Sequence, residues 1–300
     1  MFDHKGKTPI SRDWFGLDIF ESGVRFRRTG ARLFLLEDVP STNDFLLGRG
    51  PSALGRLCQW EDWGWRALDQ IQLSPLDNLQ RGTVVVARRQ SAGRGRQGRT
   101  WIDCGGLHLS VVIPPHPAAH QKGFSVWLGL MVVLALREEF NLDARLKWPN
   151  DIRVGERKLG GILLEKIGPG DGSLVAGMGL NILTKRDEFP AELRSIATSL
   201  FLETGKRHKP GAIAGCIVRR VEDEFDRFAR EGWLPWQASL SALDCLLGRQ
   251  IKILSGGKTF EGRSLGIGPE GALFVEASDG QANRFFAGDV HLLPLEKGGK

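Results

Sequence analysis

Apolar residues recur at two spacings along the chain, and each spacing predicts one kind of element. Five of them lie three or four residues apart: Ile213, Ile217, Val221, Phe225 and Phe228. This spacing predicts an amphipathic helix at about 211–230. An almost continuous apolar run covers 124–136. Because it is too short to cross a bilayer, it predicts a buried helix near 122–140.

Short apolar segments bounded by turn residues predict strands. They are 33–36, 84–87, 107–113, 146–148, 152–154, 162–165 and 174–182. Those between 144 and 182 are separated by Pro, Asn, Asp and Gly turns, which predict an antiparallel meander. After Gly248 the chain changes to short strands with glycine turns, a spacing typical of a small β-barrel. The fold class expected is therefore α+β with an appended β-barrel.

Two segments have no clean period. Residues 1–30 predict an N-terminal extension, and residues 48–81 predict an irregular insertion within a domain spanning 31–247. The insertion contains Trp60, Trp63 and Trp65, which we interpret as covering a hydrophobic edge of the domain in preference to stacking on a ligand. The barrel is expected to span 248–295.

Composition narrows the class of protein. The chain has 41% hydrophobic and 25% charged residues, as in soluble globular proteins, and a net charge of +6 that is spread along its length. Its four cysteines show no C-x-x-C spacing, so we expect neither a zinc site nor disulfides, and a cytoplasmic location. The first seven residues are polar, unlike a signal peptide. No membrane association is expected.

The stretch from Gln90 to Trp101 is rich in glycine and arginine. Glycine lets a ligand approach the main chain, and arginine binds phosphate or carboxylate through paired hydrogen bonds, so the stretch predicts an anion-binding loop. Gly93, Gly95 and Gly98 also match the G-x-G-x-x-G dinucleotide fingerprint. That alternative fails because no acidic residue for a ribose occurs between 104 and 137 and no helix is predicted after the loop.

Three further segments carry candidate chemistry. Lys147-Trp148-Pro149-Asn150-Asp151, followed by Lys158-Leu159-Gly160-Gly161, has the cations and carboxylate for a nucleotide with its metal, although a turn with solvated lysines is the simpler interpretation. The segment 177–181 ends a strand in two glycines and an amide. Ser41 followed by Asp44 predicts a helix N-cap, with a ligand contact as the alternative.

In this order and spacing, these segments resemble those of biotin protein ligases. The resemblance runs from about Leu33 to Leu293 and is interrupted by 48–81. It implies a class II synthetase-like catalytic domain, with a mixed or antiparallel sheet and helices, followed by an SH3-like β-barrel. It also implies that biotin and ATP, with Mg²⁺, form biotinyl-5′-AMP, and that biotin is then transferred to a lysine of a biotin carboxyl carrier domain.

The resemblance assigns a role to each matching residue. Arg94, Arg96 and Lys158 would be catalytic. Biotin would be bound by Ser41, Thr42, Gln90, Gly93, Arg94, Lys158, Gly161, Gly177 and Gly179. The nucleotide would be bound by Arg96, Arg99, Trp101, Lys147, Asn150, Asp151 and Asn181, with Asp151 as a ligand of Mg²⁺.

Some members of this family carry an N-terminal DNA-binding domain. Residues 1–30 are too few for one, so no operator binding is expected, and a site-specific gel shift would contradict this. The resemblance allows a homodimer. Two alternatives remain: a ligase for lipoate or octanoate with the same fold, and a non-catalytic sensor of biotin or adenylate. The complete set of arginines and lysines favours an enzyme over the sensor.

Overall fold

The computed structural model describes residues 14–17, 20, 32–61, 64–67, 71–74, 82–113, 115–167 and 172–293. The helices in this part of the chain are α1 (Thr42–Leu46), α2 (Phe124–Phe140), α3 (Leu200–Thr204), α4 (Pro210–Glu231) and α5 (Gln237–Leu243). The strands before the barrel are β1 (Arg32–Val39), β2 (Ala53–Glu61), β3 (Gly64–Ala67), β4 (Ile71–Leu73), β5 (Thr83–Gln90), β6 (Gly93–Arg94), β7 (Thr100–Trp101), β8 (Gly106–Ile113), β9 (Ala144–Lys147), β10 (Asp151–Val154), β11 (Arg157–Lys166) and β12 (Leu174–Asn181). Those of the barrel are β13 (Gln250–Ser255), β14 (Lys258–Ile267), β15 (Leu273–Glu276), β16 (Ala282–Phe285) and β17 (Asp289–Leu292).

A large mixed sheet forms the centre of the first domain. Its order is β3-β2-β1-β5-β8-β12-β11-β10-β9, and β4 pairs with β2. Strands β1 and β5 run parallel, whereas β8, β12, β11, β10 and β9 pair antiparallel. The predicted antiparallel meander over 144–182 is therefore confirmed.

The two faces of this sheet bury different cores. Leu33 and Leu35 belong to the core that contains α2 and α4, whereas Phe34 and Leu36 pack on the opposite face with residues of α1. On the first face Trp127 of α2 stacks on Phe228 of α4, with ring centroids 4.7 Å apart. The face that carries α1 is left with room for a cavity.

Both helices predicted from apolar spacing are confirmed, as α2 and α4. The predicted N-cap is also confirmed, because the amide of Asp44 donates to Ser41 Oγ at 3.3 Å. Among residues 1–30, Phe15 and Phe20 are buried in the core of the first domain; most of the remaining residues lie outside the described part of the chain.

The prediction that 48–81 is irregular is wrong, because this segment contains β2, β3 and β4. Strand β2 pairs with β1 and extends the sheet by antiparallel hydrogen bonding. The alternation of apolar and polar residues expected of a strand is interrupted in β2 by Gly55. A Cβ at Gly55 would lie 2.5 Å from the carbonyl oxygen of Leu35, so no apolar side chain fits there. The side chains of Trp60, Trp63 and Trp65 lie outside the described residues.

The predicted small β domain is confirmed as a five-stranded sheet of order β16-β15-β14-β13-β17. It is joined to the first domain by a buried hydrogen bond, which Trp148 Nε1 donates to the carbonyl oxygen of Gly271 at 3.0 Å. The domain limits 31–247 and 248–295 stay predictions. None of the described helices is both long and apolar enough to span a membrane.

We expect Trp148→Phe to lower the free energy of unfolding because it leaves the Gly271 carbonyl oxygen without its donor. Trp233→Phe is a matched control, since Trp233 is also buried but its indole nitrogen has no hydrogen-bond partner among the described residues. Relative to that control, the loss should be about 1 kcal/mol. Equilibrium urea unfolding of both variants measures it. Equal destabilisation of the two would contradict an energetic role for this hydrogen bond.

Candidate active site

A cavity opens on the α1 face of the large sheet and brings together most of the residues predicted from sequence. Those that line it are Ser41, Thr42, Gln90, Arg94, Arg96, Arg99, Trp101, Lys147, Asn150, Asp151, Lys158, Gly161, Gly177 and Gly179. The lining residues to which the sequence assigned no role include Asn43, His108, Met178, Asp289, Val290 and His291. Gly93 and Asn181 do not line it.

One wall of the cavity is a buried polar network. Gln90 Oε1 accepts from the amide of Thr42 at 2.7 Å and from its hydroxyl at 3.0 Å. Ser110 Oγ lies 2.7 Å from both Thr42 Oγ1 and Asn43 Oδ1. Because burying polar groups without partners is costly, these bonds hold the wall in one arrangement.

Glycines in β12 give this wall its shape. A Cβ at Gly177 would lie 2.3 Å from Asn43 Oδ1, and one at Gly179 would lie 2.7 Å from Cε2 of Trp101. A side chain at either position would displace a lining residue. From the sequence alone, the Gly177-Met178-Gly179 segment gave only a weak indication of a site. In the structure both glycines are required because Asn43 and Trp101 approach them closely.

The predicted anion loop is a hairpin. Strands β6 and β7 pair Gly93 with Trp101 and Arg94 with Thr100, and a turn with Gln97 at φ 56° joins them. A Cβ at Gly93 would lie 2.6 Å from the Trp101 carbonyl oxygen, so this glycine allows the strands to pair and does not contact the cavity. The hairpin directs its arginines to different partners.

The positive charge of Arg94 is neutralised by two carboxylates. Its Nη2 is 2.7 Å from Asp44 Oδ1 and 2.6 Å from Glu165 Oε2. Asn43 Nδ2 also donates to Glu165 Oε2, at 2.8 Å. An anionic ligand would compete with two carboxylates for this guanidinium.

Arg96 differs from the other arginines of the hairpin. Its Nη1 donates to Asn150 Oδ1 at 3.1 Å, and among the described residues no carboxylate forms an ion pair with it. Burial lowers the pKa of Arg96 from its ordinary value, partly offset by Asp289 and Asp151. Arg99, by contrast, is paired with Asp289 of β17. Arg96 therefore brings to the cavity a positive charge that is not held in an ion pair by any described carboxylate.

The β10–β11 hairpin supplies the opposite side of the cavity. Lys158 Nζ lies 2.7 Å from Asp151 Oδ1, and a bulge between Ile152 and Arg153 sets the register that brings them together. A Cβ at Gly161 would lie 3.3 Å from Asp151 Oδ1, so the glycine leaves room for that carboxylate.

Lys147 reaches the second domain, where its Nζ donates to the carbonyl oxygen of Val290 at 2.6 Å. Burial lowers the pKa of Lys147, and Arg153 lowers it further. The barrel thus completes one end of the cavity. Asn181, predicted to face the nucleotide, is 6% exposed and donates to the Thr198 carbonyl oxygen at 3.0 Å.

The side chains around Asp151 determine how a metal ion could be bound in the cavity. Within the described residues there is no group of three or more His, Cys, Asp and Glu side chains that could hold an ion alone. Mg²⁺ commonly binds through one or two carboxylates together with substrate phosphates. Asp151 could bind Mg²⁺ in that mode. The described side chains do not provide enough ligands to hold a metal ion without a substrate.

Taken together, the cavity combines a fixed polar wall with several cations at its other side. Such a site can hold a molecule with an uncharged polar head at the wall and place an anionic end among Arg96, Lys147 and Lys158.

Comparisons with known proteins agree with this chemistry. The family described as biotin/lipoate A/B protein ligase matches residues 68–181, and the biotin protein ligase C-terminal domain matches residues 246–293. The bifunctional ligase/repressor BirA of Escherichia coli is 33% identical over 235 residues, covering 76% of this chain and 72% of that protein. The biotin–[acetyl-CoA-carboxylase] ligase of Paracoccus denitrificans is 30% identical, covering 73% and 96%. The structure of a biotin protein ligase from Aquifex aeolicus in complex with biotin and ATP has a TM-score of 0.70 and 27% identity, covering 87% of this chain and 98% of that one.

Proposed function

Because this chain belongs to the biotin protein ligase family, we propose that it joins biotin to ATP to form biotinyl-5′-AMP and then transfers biotin to a lysine of a biotin carboxyl carrier domain. The observation that carries the proposal is the pairing, within one cavity, of the Thr42–Gln90 wall with the cations Arg96 and Lys158. The wall suits the uncharged ring system of biotin. The cations suit its carboxylate and the phosphates of ATP.

In the first step a biotin carboxylate oxygen attacks the α-phosphorus of ATP, and the bond to the pyrophosphate oxygen breaks. Two anions must approach each other, so fixed positive charges that interact most strongly with the transition state lower the barrier. We assign this role to Lys158 and Arg96, with Arg94 on the biotin carboxylate once Asp44 and Glu165 release it.

In the second step the neutral amine of the acceptor lysine attacks the biotinyl carbonyl carbon. The carbon–oxygen bond to AMP breaks, and the amine loses a proton as the amide forms. The mixed anhydride is needed because AMP is a far better leaving group than the oxygen of a free carboxylate. Cations that hold the AMP phosphate therefore serve both steps.

Further residues are proposed for the nucleotide. Arg99, Trp101, Lys147 and Asn150 line the cavity on the barrel side and would contact ATP, whereas the buried side chain of Asn181 would act through Thr198. Mg²⁺ bound by Asp151 and phosphate oxygens would neutralise phosphate charge. Ser41, Gly161, Gly177 and Gly179 would form the surface against biotin.

Biotin-dependent exchange of labelled pyrophosphate into ATP tests the first step. We expect exchange only when biotin, ATP and Mg²⁺ are all present, because the reverse reaction needs a bound acyl-adenylate. Lipoate and octanoate are the matched alternative acids. Exchange with either of these and none with biotin would replace the proposed substrate, and binding of biotin without any AMP formation would favour a sensor.

A further inference from the structure

Gln90 contacts the carboxylate of Asp103 and the imidazole of His108, two residues that belong to none of the sequence motifs. Asp103 Oδ2 accepts from the backbone amide of Gln90 at 2.9 Å, and its Oδ1 accepts from the amide of Gly105 at 2.9 Å. His108 Nε2 lies 2.9 Å from the same Oδ1, and His108 Nδ1 lies 3.4 Å from Gln90 Nε2. His108 is 1% exposed.

The hydrogen bonds to Gln90 fix which end of its amide faces which way. Both the amide and the hydroxyl of Thr42 point at Oε1, so this atom must be the acceptor oxygen. Nε2 is then the NH₂ group and can donate one hydrogen to His108 Nδ1. Its second hydrogen is free to point into the cavity, which Gln90 lines.

The same logic fixes the tautomer of His108. If Nδ1 accepts from Gln90, a neutral ring carries its proton on Nε2, the nitrogen that lies 2.9 Å from Asp103 Oδ1. Burial alone would raise the pKa of Asp103, but contact with His108 and the amides of Gly105 and Gln90 lowers it to about 2. Asp103 is therefore ionised at neutral pH, and its negative charge 2.9 Å from Nε2 favours the tautomer of His108 that carries the proton on that nitrogen.

We propose that Asp103 and His108 are positioning residues that fix the Gln90 amide so that it presents an N–H donor, and not its carbonyl oxygen, to the polar ring of the acid substrate. This inference rests on the proposed function for the identity of the acid. A carboxylate that fixes a histidine tautomer and thereby orients a further group is an arrangement found at metal and catalytic sites. Here its target is an amide that recognises substrate.

Two substitutions test the chain of contacts. His108→Phe removes the acceptor for Gln90 at similar side-chain size, and Asp103→Asn offers an N–H to His108 Nε2 and so favours the opposite tautomer. Each should raise the KM for biotin about 3- to 10-fold, the effect of one neutral hydrogen bond. The KM for ATP should stay unchanged because Gln90 belongs to the polar wall, which is assigned to biotin and not to the nucleotide. His108→Asn, which keeps an acceptor oxygen near the position of Nδ1, should restore part of the biotin affinity.

A double-mutant cycle with Gln90→Leu separates positioning from general packing. If His108 acts through Gln90, then His108→Phe should have little further effect once Gln90 is leucine. His208→Phe is the control, since that histidine is away from the cavity and packs on Phe140. Calorimetric titration of the purified full chain with biotin gives the same comparison without turnover, and thermal unfolding identifies any variant that fails to fold.

Additive effects in the cycle, or equal changes in the KM values for biotin and ATP, would overturn the positioning role. If His108→Phe does not fold, Asp103→Asn decides the same question, because unchanged biotin affinity in that variant would overturn the positioning role. A wild-type chain without biotin-dependent exchange or biotin binding would instead contradict the proposed function itself.

Discussion

Lys158→Ala is expected to slow the formation of biotinyl-AMP by about 10²- to 10³-fold while the fold remains intact, the size of effect seen when one contact to a developing charge is removed. The ammonium group of Lys158 lies at the cavity and is held 2.7 Å from Asp151 Oδ1. Its removal takes away a cation and also leaves the Asp151 carboxylate uncompensated near the phosphates. Both changes oppose the approach of the biotin carboxylate to the α-phosphate.

The fold should tolerate this substitution because the backbone of Lys158, not its side chain, pairs with the neighbouring segment. Its amide donates to the Ile196 carbonyl oxygen at 2.8 Å, and its own carbonyl oxygen accepts from Thr198 at 2.9 Å. Lys166→Ala is the control, since Lys166 is exposed at the other end of β11. Single-turnover release of pyrophosphate measures the rate. Release from Lys158→Ala at the wild-type rate would refute its assignment as a catalytic residue.

Local patterns predicted much of the fold because periodicity reports burial of a single face. Helix α4 buries one apolar stripe, so the spacing of its apolar residues was sufficient to predict it. Helix α2 is apolar almost throughout, so the length of its apolar run was sufficient. Strand β2 was missed because the small residues Ala53 and Gly55 occupy two of its buried positions, and at Gly55 a Cβ would meet the Leu35 carbonyl oxygen of β1. β16 was missed as well, since only Phe285 among its residues is buried.

The candidate site could be predicted only where its residues are consecutive in sequence. The glycine–arginine hairpin and the β10–β11 turn each concentrate their chemistry in a few residues, and the structure brings both to one cavity. Asp289 and Val290 contribute through tertiary packing of the barrel, and no local pattern marks them. His108 looks like an ordinary strand residue, and its role depends on distances to Gln90 and Asp103.

Arg96→Ala is expected to weaken retention of biotinyl-AMP by about 10- to 150-fold, corresponding to about 1.5–3 kcal/mol for a hydrogen bond to a charged group. Arg94 and Arg99 are already paired with carboxylates, whereas Arg96 forms no ion pair with any described residue. Its charge is therefore the one most available to the phosphate of the intermediate. Partial burial strengthens that interaction because less water screens it.

The lifetime of the preformed intermediate on the enzyme measures this effect directly. Enzyme loaded with labelled biotin and ATP is separated from free ligand, and release of labelled adenylate is followed with time. We expect faster release from Arg96→Ala and wild-type release from Arg263→Ala, whose arginine pairs with Glu276 on the exposed surface of the barrel. Because released adenylate acylates amines in solution, the variant should also label proteins that are not carrier domains. A wild-type lifetime in Arg96→Ala would mean that the paired arginines, after losing their carboxylates, hold the phosphate instead.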